Sequence, residues 1–84
     1  MRLSKKSLNK LAIVAWEDAK GQMGTTLQAF LKEGFIVNET VGWLVYYDLK
    51  KVVLQTERSV GMDSGDFVMI PRGWIVKIEF VEEE

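Results

Sequence analysis

The chain has 84 residues and a net charge of −1, and it contains neither cysteine nor histidine. These features exclude a disulfide framework, a thiolate zinc site and a nucleophile–base pair built on cysteine or histidine. Apolar residues make up 48% of the chain and charged residues 27%, as expected for a single folded domain over residues 1–84.

The first third of the chain predicts a strand between two short helices. Residues 4–10 have leucines and a serine at helical positions, whereas residues 11–17 (L-A-I-V-A-W-E) predict a strand that is buried on both faces. Thr25 followed by Gln28 has the spacing of a capping box and predicts a second short helix. We expect Gly34 to end that helix in a left-handed conformation.

The middle of the chain predicts a β-hairpin. Apolar residues alternate from residue 35 to residue 47, with an expected interruption at Asn38 and Glu39. The residues D-L-K-K (48–51) predict a tight turn, and V-V-L-Q-T-E (52–57) predicts the returning strand. The alternation divides the residues of the first strand between two faces. One face has Phe35, Val37, Val41, Trp43, Val45 and Tyr47, and the other has Gly42, Leu44 and Tyr46.

The last third of the chain predicts two strands joined at a corner. A strand over residues 66–70 should end at Pro71, because proline has no backbone N–H to donate. Residues 71–73 then predict one short helical turn, and Trp74 is predicted to be largely buried at the end of the barrel. The final strand should cover residues 75–81, with Val76, Ile78 and Phe80 on one face, and residues 82–84 should form a solubilising acidic tail.

This succession of short strands predicts a mainly β protein with one or two short helices. The expected fold is a small five-stranded barrel of the SH3-like and Sm-like class, in which the last strand pairs with the first. The glycine-rich residues 59–65 should form a loop between the third and fourth strands.

Three sequence patterns resemble those of small phage and prophage proteins. They are W-x-D-A at residues 16–19, V-G-W-x-V at residues 41–45 and I-P-x-x-x-I at residues 70–75. The resemblance implies a viral origin and a small accessory protein, and it brings no catalytic residues with it.

A second resemblance is to the Sm-like RNA-binding proteins. Gly42, Leu44 and Asp48 stand at the spacing of the G-x-L-x-x-x-D motif of that family, and Arg72 and Gly73 resemble its I-R-G motif. The resemblance implies a ring of subunits and binding of RNA or single-stranded DNA. The candidate nucleic-acid contacts are Asp48, Lys50, Lys51, Arg72, Gly73 and Trp74.

The sequence predicts neither an enzyme nor a metal or cofactor site. Glu17 and Asp18 are adjacent and would point to opposite faces of a strand, so they do not form a catalytic pair. The longest apolar run is also far shorter than the roughly 20 residues that cross a bilayer. We therefore expect a cytoplasmic protein, located in the host cell if a phage encodes it.

The last two predicted strands have few features that would protect a free edge. Residues 66–70 (D-F-V-M-I) carry one charge, at their start, and such edges either aggregate or pair with another copy. We expect a closed homo-oligomer, a ring rather than a dimer, and another phage protein is an alternative partner. The expected contact residues are Asp66, Phe67, Val68, Met69, Ile70, Ile75, Val76 and Ile78.

Overall fold

The computed structural model describes residues 2–19, 21–61 and 64–81, so the predicted acidic tail and part of the predicted glycine-rich loop lie outside the described residues. Five strands and three short helical segments follow one another along the chain. They are a 3₁₀ turn at Lys5–Ser7, β1 (Leu11–Asp18), α1 (Leu27–Leu31), β2 (Ile36–Tyr47), β3 (Lys51–Arg58), β4 (Gly65–Pro71), a second 3₁₀ turn at Arg72–Trp74, here called the corner turn, and β5 (Ile75–Phe80).

The five strands form one antiparallel sheet in the order β4-β3-β2-β1-β5. The mainly β fold and the pairing of the last strand with the first are therefore confirmed. Within the described residues the sheet does not close, because β4 pairs only with β3 and β5 pairs only with β1. The sheet consequently has two free edges, one formed by β4 and the other by β5.

The core lies on one face of this sheet, which curls around it. Six side chains are almost completely removed from solvent, and among the described residues most of the side chains packed around them come from the strands, joined by Leu3 and Leu8 of the N-terminal segment, so the sheet itself wraps around the core. The corner turn contacts both β1 and β3, two strands that β2 separates, which is consistent with this curl. The six core residues are Ala12, Val14, Leu44, Val52, Leu54 and Ile70.

Two irregularities in the strands change the faces that simple alternation predicts. The register between β2 and β3 shifts at Val45, so that Tyr47 packs against the core while Tyr46 faces outward. The register between β1 and β5 shifts so that Val76 has no partner, and Ile75 packs against the core instead. The predicted faces of Tyr46, Tyr47 and Val76 were therefore wrong, because one inserted residue reverses all later side chains, whereas the alternation before Val45 is as predicted.

The helical segments are shorter than predicted. The first is a single 3₁₀ turn, and α1 is capped by Thr26, whose hydroxyl accepts a hydrogen bond from the backbone N–H of Ala29 at 3.2 Å. Gly34 does not adopt the predicted left-handed conformation, because the described glycines with positive φ are Gly24 and Gly61. The predicted interruption at Asn38 is also absent, since β2 runs through it.

The molecule is elongated, and the segment between β1 and β2 is loosely attached to the sheet. Its helix α1 makes sparse contacts with the strands, and several of its apolar side chains are exposed. The overall dimensions are 52 × 26 × 26 Å, with a radius of gyration of 15.8 Å. A compact chain of this length would have a radius of gyration of about 12 Å.

Candidate interaction surfaces

The turn between β2 and β3 is organised by Asp48. One carboxylate oxygen accepts hydrogen bonds from the backbone N–H groups of Lys50 and Lys51, at 2.7 and 2.9 Å. The other oxygen accepts one from the Tyr46 hydroxyl at 3.2 Å and forms an ion pair with Lys51 Nζ at 3.3 Å. These bonds, that of the Lys50 amide foremost, lower the pKa of Asp48 from 3.8 to about 2. The predicted tight turn is thus confirmed, and Asp48 has a structural role in it.

Arg72 joins the corner turn to this hairpin turn. Its guanidinium Nη1 donates to the backbone carbonyl of Asp48 at 2.7 Å, and its backbone N–H donates to the carbonyl of Lys50 at 2.8 Å. The structure therefore brings together four of the six candidate nucleic-acid contacts, which are Asp48, Lys50, Lys51 and Arg72.

This region forms a positively charged surface, here called the basic corner and defined by Lys5, Tyr46, Lys50, Lys51 and Arg72. Lys51 Nζ lies 5.7 Å from the centre of the Tyr46 ring, which is half exposed. Lys5 and Tyr46 line the same shallow depression. In the described part of the chain this surface is defined by four cationic side chains and the carboxylate of Asp48, which gives it an excess of positive charge.

Trp74 and Gly73 lie at a different site from the basic corner. They line a cleft together with Glu17, Asp18 and Phe35, so the charged residues that line this cleft in the described part of the chain are acidic rather than basic. The Trp74 side chain is 44% exposed, and the prediction that it is largely buried was therefore wrong. It lies over one flank of the molecule because the corner turn contains a single helical turn and does not fold the indole inward.

Trp74 is held by a second tryptophan. Its ring stacks on that of Trp16 with a centroid separation of 6.3 Å and an interplanar angle of 19°. Trp16 is fixed in turn by a hydrogen bond of 3.0 Å from its indole Nε1 to the Thr40 hydroxyl. The indole of Trp74, which lines the cleft, is therefore backed by a second indole that is itself held in place.

The two free edges of the sheet are formed by β4 and β5, and β4 ends beside the basic corner, where Pro71 pairs with Lys51. On the outer face of β4, Phe67 and Met69 are 54% and 63% exposed. On the outer face of β5, Lys77 and Glu79 form an ion pair, which raises the pKa of Lys77. The eight residues predicted as oligomer contacts lie on these two edge strands, at opposite ends of the strand order.

No family model, curated protein or solved structure matches this chain. The resemblances to phage proteins and to Sm-like proteins accordingly stay predictions.

The described residues contain no group of three or more carboxylates that could hold a metal ion. They also include no helix that is long and apolar enough to cross a membrane.

Several residues of these surfaces could not be recognised from the sequence. Lys5 and Tyr46 join the basic corner through the fold, and no local motif marks them. Phe35 and the two carboxylates of the cleft were interpreted separately, as a strand residue and as an adjacent acidic pair. The available signal was a tryptophan in or beside two of the three cleft segments, at Trp16 and Trp74.

Proposed function

We propose that this protein is a non-catalytic interaction module that assembles into a closed homo-oligomer through its two sheet edges. The observation that carries this proposal is the open sheet, in which β4 and β5 are both edge strands. Pairing β4 of one copy with β5 of the next would satisfy the backbone groups of both edges with a single type of contact. A symmetric pair made through β4 alone would leave β5 unpaired, so a ring accounts for both edges.

The side chains of the two edges are compatible with such pairing. The core-facing residues Val68 and Ile70 of β4 would lie beside Ile78 and Phe80 of the next copy, which would make the two cores continuous. On the outer face, the apolar side chains of β4 would gain cover. The phage-type sequence pattern supports an accessory role in a virus, and we propose that the protein acts in the cytoplasm, that of the host cell if it is phage-encoded.

The test of the ring is the mass in solution. Multi-angle light scattering at micromolar concentration should give a multiple of the 9.6 kDa chain mass. Met69→Lys places a charge on the outer face of the β4 edge and should reduce that mass. The matched control is Val60→Lys, which makes the same change of charge at an exposed position outside the strands and should leave the mass unaltered. A wild-type mass near 9.6 kDa would contradict the proposal.

A second candidate function is the binding of RNA or single-stranded DNA, and the basic corner favours it. Cationic side chains beside an exposed tyrosine provide phosphate contacts and a ring on which a base can stack. Sm-like proteins carry a base-binding asparagine at the position of Val52, which is wholly buried here. We therefore expect contacts with the phosphate backbone and little preference for sequence.

Fluorescence anisotropy with a labelled oligouridylate tests this second function. The logarithm of the affinity should fall linearly with the logarithm of the salt concentration, and Lys50→Ala should make the slope shallower by about 0.7 for each lost phosphate contact. The control is Lys32→Ala, which removes a lysine beyond the end of α1. Absence of binding at low salt, or an equal effect of both variants, would exclude the basic corner as the binding surface.

A further inference from the structure

A small cleft on the flank of the sheet has the chemistry of a cation-binding site. It has a volume of about 250 Å³, which is enough for one side chain. Its walls come from the end of β1, from the segment just before β2 and from the corner turn. The lining residues are Glu17, Asp18, Ala19, Phe35, Gly73 and Trp74.

The aromatic surfaces of this cleft are available to a ligand. Trp74 stacks on Trp16 through one side of its ring and is 44% exposed, and Phe35 is 68% exposed. The face of an indole attracts a cation more strongly than that of any other side chain, because of its electron-rich ring. Since Trp16 is fixed by its bond to Thr40, the wall formed by Trp74 would need little reorganisation on binding.

Two acidic residues line the same cleft. Glu17 and Asp18 form no ion pair with any residue in the described part of the chain. They are consecutive residues of β1, so their side chains point to opposite faces and one carboxylate is available on the indole side. A carboxylate beside an exposed indole disfavours phosphate and favours a cation. We therefore expect the cleft to bind cations, whereas the basic corner would bind anions such as phosphate.

The chain itself contains an example of the interaction that this cleft could make. The guanidinium carbon of Arg58 lies 4.1 Å from the centre of the Trp43 ring. A guanidinium can stack on an indole through its plane and still donate hydrogen bonds to a carboxylate from its edge. The ammonium of lysine cannot do both, because it has no plane and is more strongly hydrated.

We propose that this cleft binds the guanidinium group of an arginine side chain supplied by a different partner protein. Two of the chain's three arginines are already engaged, since Arg58 lies on Trp43 and Arg72 donates to the Asp48 carbonyl. A second copy therefore has little to offer the cleft, apart from Arg2. This inference names the partner chemistry of the proposed interaction module, but the cleft lies within one chain and does not require the ring.

The experiment is a titration followed by the indole N–H signals in ¹H–¹⁵N NMR spectra. The probe is the capped peptide acetyl-Gly-Arg-Gly-amide, and the matched peptides contain lysine or the uncharged citrulline. The arginine peptide should shift the Trp74 signal with a millimolar Kd, the range expected for a single side chain. The lysine peptide should bind several-fold more weakly, and the citrulline peptide should cause no saturable shift.

Variants assign the effect to the cleft. Glu17→Gln combined with Asp18→Asn should weaken binding of the arginine peptide by at least about tenfold. The matched control is Glu57→Gln, which removes an exposed carboxylate at the far end of β3 and should leave the Kd unaltered. Equal shifts with the arginine and citrulline peptides, or equal effects of the control and cleft variants, would overturn the proposal.

The result is separable from that of the ring. Arginine binding by a chain of monomeric mass would support the cleft and contradict the ring, and a ring without arginine binding would do the reverse. The variant Arg2→Ala addresses self-recognition. The arginine of a second copy would be the occupant if Arg2→Ala bound the arginine peptide more tightly than the wild type and had a lower mass in light scattering. The proposal of a different partner would then fail.

Discussion

Replacing Gly42 with alanine probes how tightly the sheet curls around its core. A Cβ atom added at Gly42 would lie 2.7 Å from the backbone carbonyl oxygen of Gln55 and 3.1 Å from Leu54 Cβ. The first distance is shorter than a carbon–oxygen contact allows, and the obstacle is backbone that cannot rotate away. Overpacking of this kind costs about 1 to 3 kcal/mol. The substitution also raises the free energy of unfolding by about 0.4 to 1 kcal/mol, because alanine restricts the unfolded chain more than glycine does.

We therefore expect Gly42→Ala to lower the free energy of unfolding by about 1 to 2 kcal/mol. For a domain of this size the melting temperature should fall by about 5 to 15 °C. Urea unfolding followed by tryptophan fluorescence should show a lower midpoint with an unchanged m-value.

The matched control is Gly34→Ala, because a Cβ there would meet no atom within 4 Å and the residue has no positive φ. That variant should be as stable as the wild type or slightly more stable. If Gly42→Ala were also as stable as the wild type, β2 and β3 could not approach as closely as the curled sheet requires.

Three further substitutions test the core, the cleft and the hairpin turn. Leu54→Ala should cost about 2 to 5 kcal/mol in urea unfolding, because the side chain is wholly buried, whereas Leu49→Ala in the exposed turn should have no measurable effect. Trp74→Ala should cost only about 1 to 2 kcal/mol, because the indole is half exposed and loses mainly its aromatic stacking, and a loss above 3 kcal/mol would contradict this. The hydrogen bonds to Asp48, that of the Lys50 amide foremost, lower the pKa of its carboxyl group to about 2, so their stabilising effect should be complete above about pH 4 and be lost as the pH falls toward 2. Melting temperatures between pH 6 and pH 2 should therefore fall less steeply in Asp48→Asn than in the wild type, and parallel curves would contradict the assignment.

The order of the strands could be predicted because each carries its own local signal. The side-chain oxygens of Asp48 and the lack of an N–H at Pro71 mark the two turns, and alternation marks the strands between them. The three register shifts, at Val45, Thr56 and Val76, could not be predicted. Val45 follows Leu44 and Val76 follows Ile75, so each of these two extra residues has an apolar neighbour. Only pairing with the adjacent strand reveals which of the two residues is extra.

The candidate site could be predicted only in part, for a related reason. Arg72 and Trp74 are two residues apart, and their closeness in sequence suggested one surface. In the 3₁₀ corner turn their side chains diverge, one toward the hairpin turn and the other onto Trp16. Adjacent positions in a helical turn point in different directions, so separation in sequence is a poor guide to a shared surface there.

The length of the molecule affects how its hydrodynamic size should be interpreted. A single copy with a radius of gyration of 15.8 Å experiences more friction than a compact chain of the same mass, whose radius would be about 12 Å. On a gel-filtration column calibrated with compact proteins, one copy would elute early and be taken for a larger species. Early elution is thus the expected behaviour of the monomer, and its diffusion coefficient should be lower than its mass alone implies.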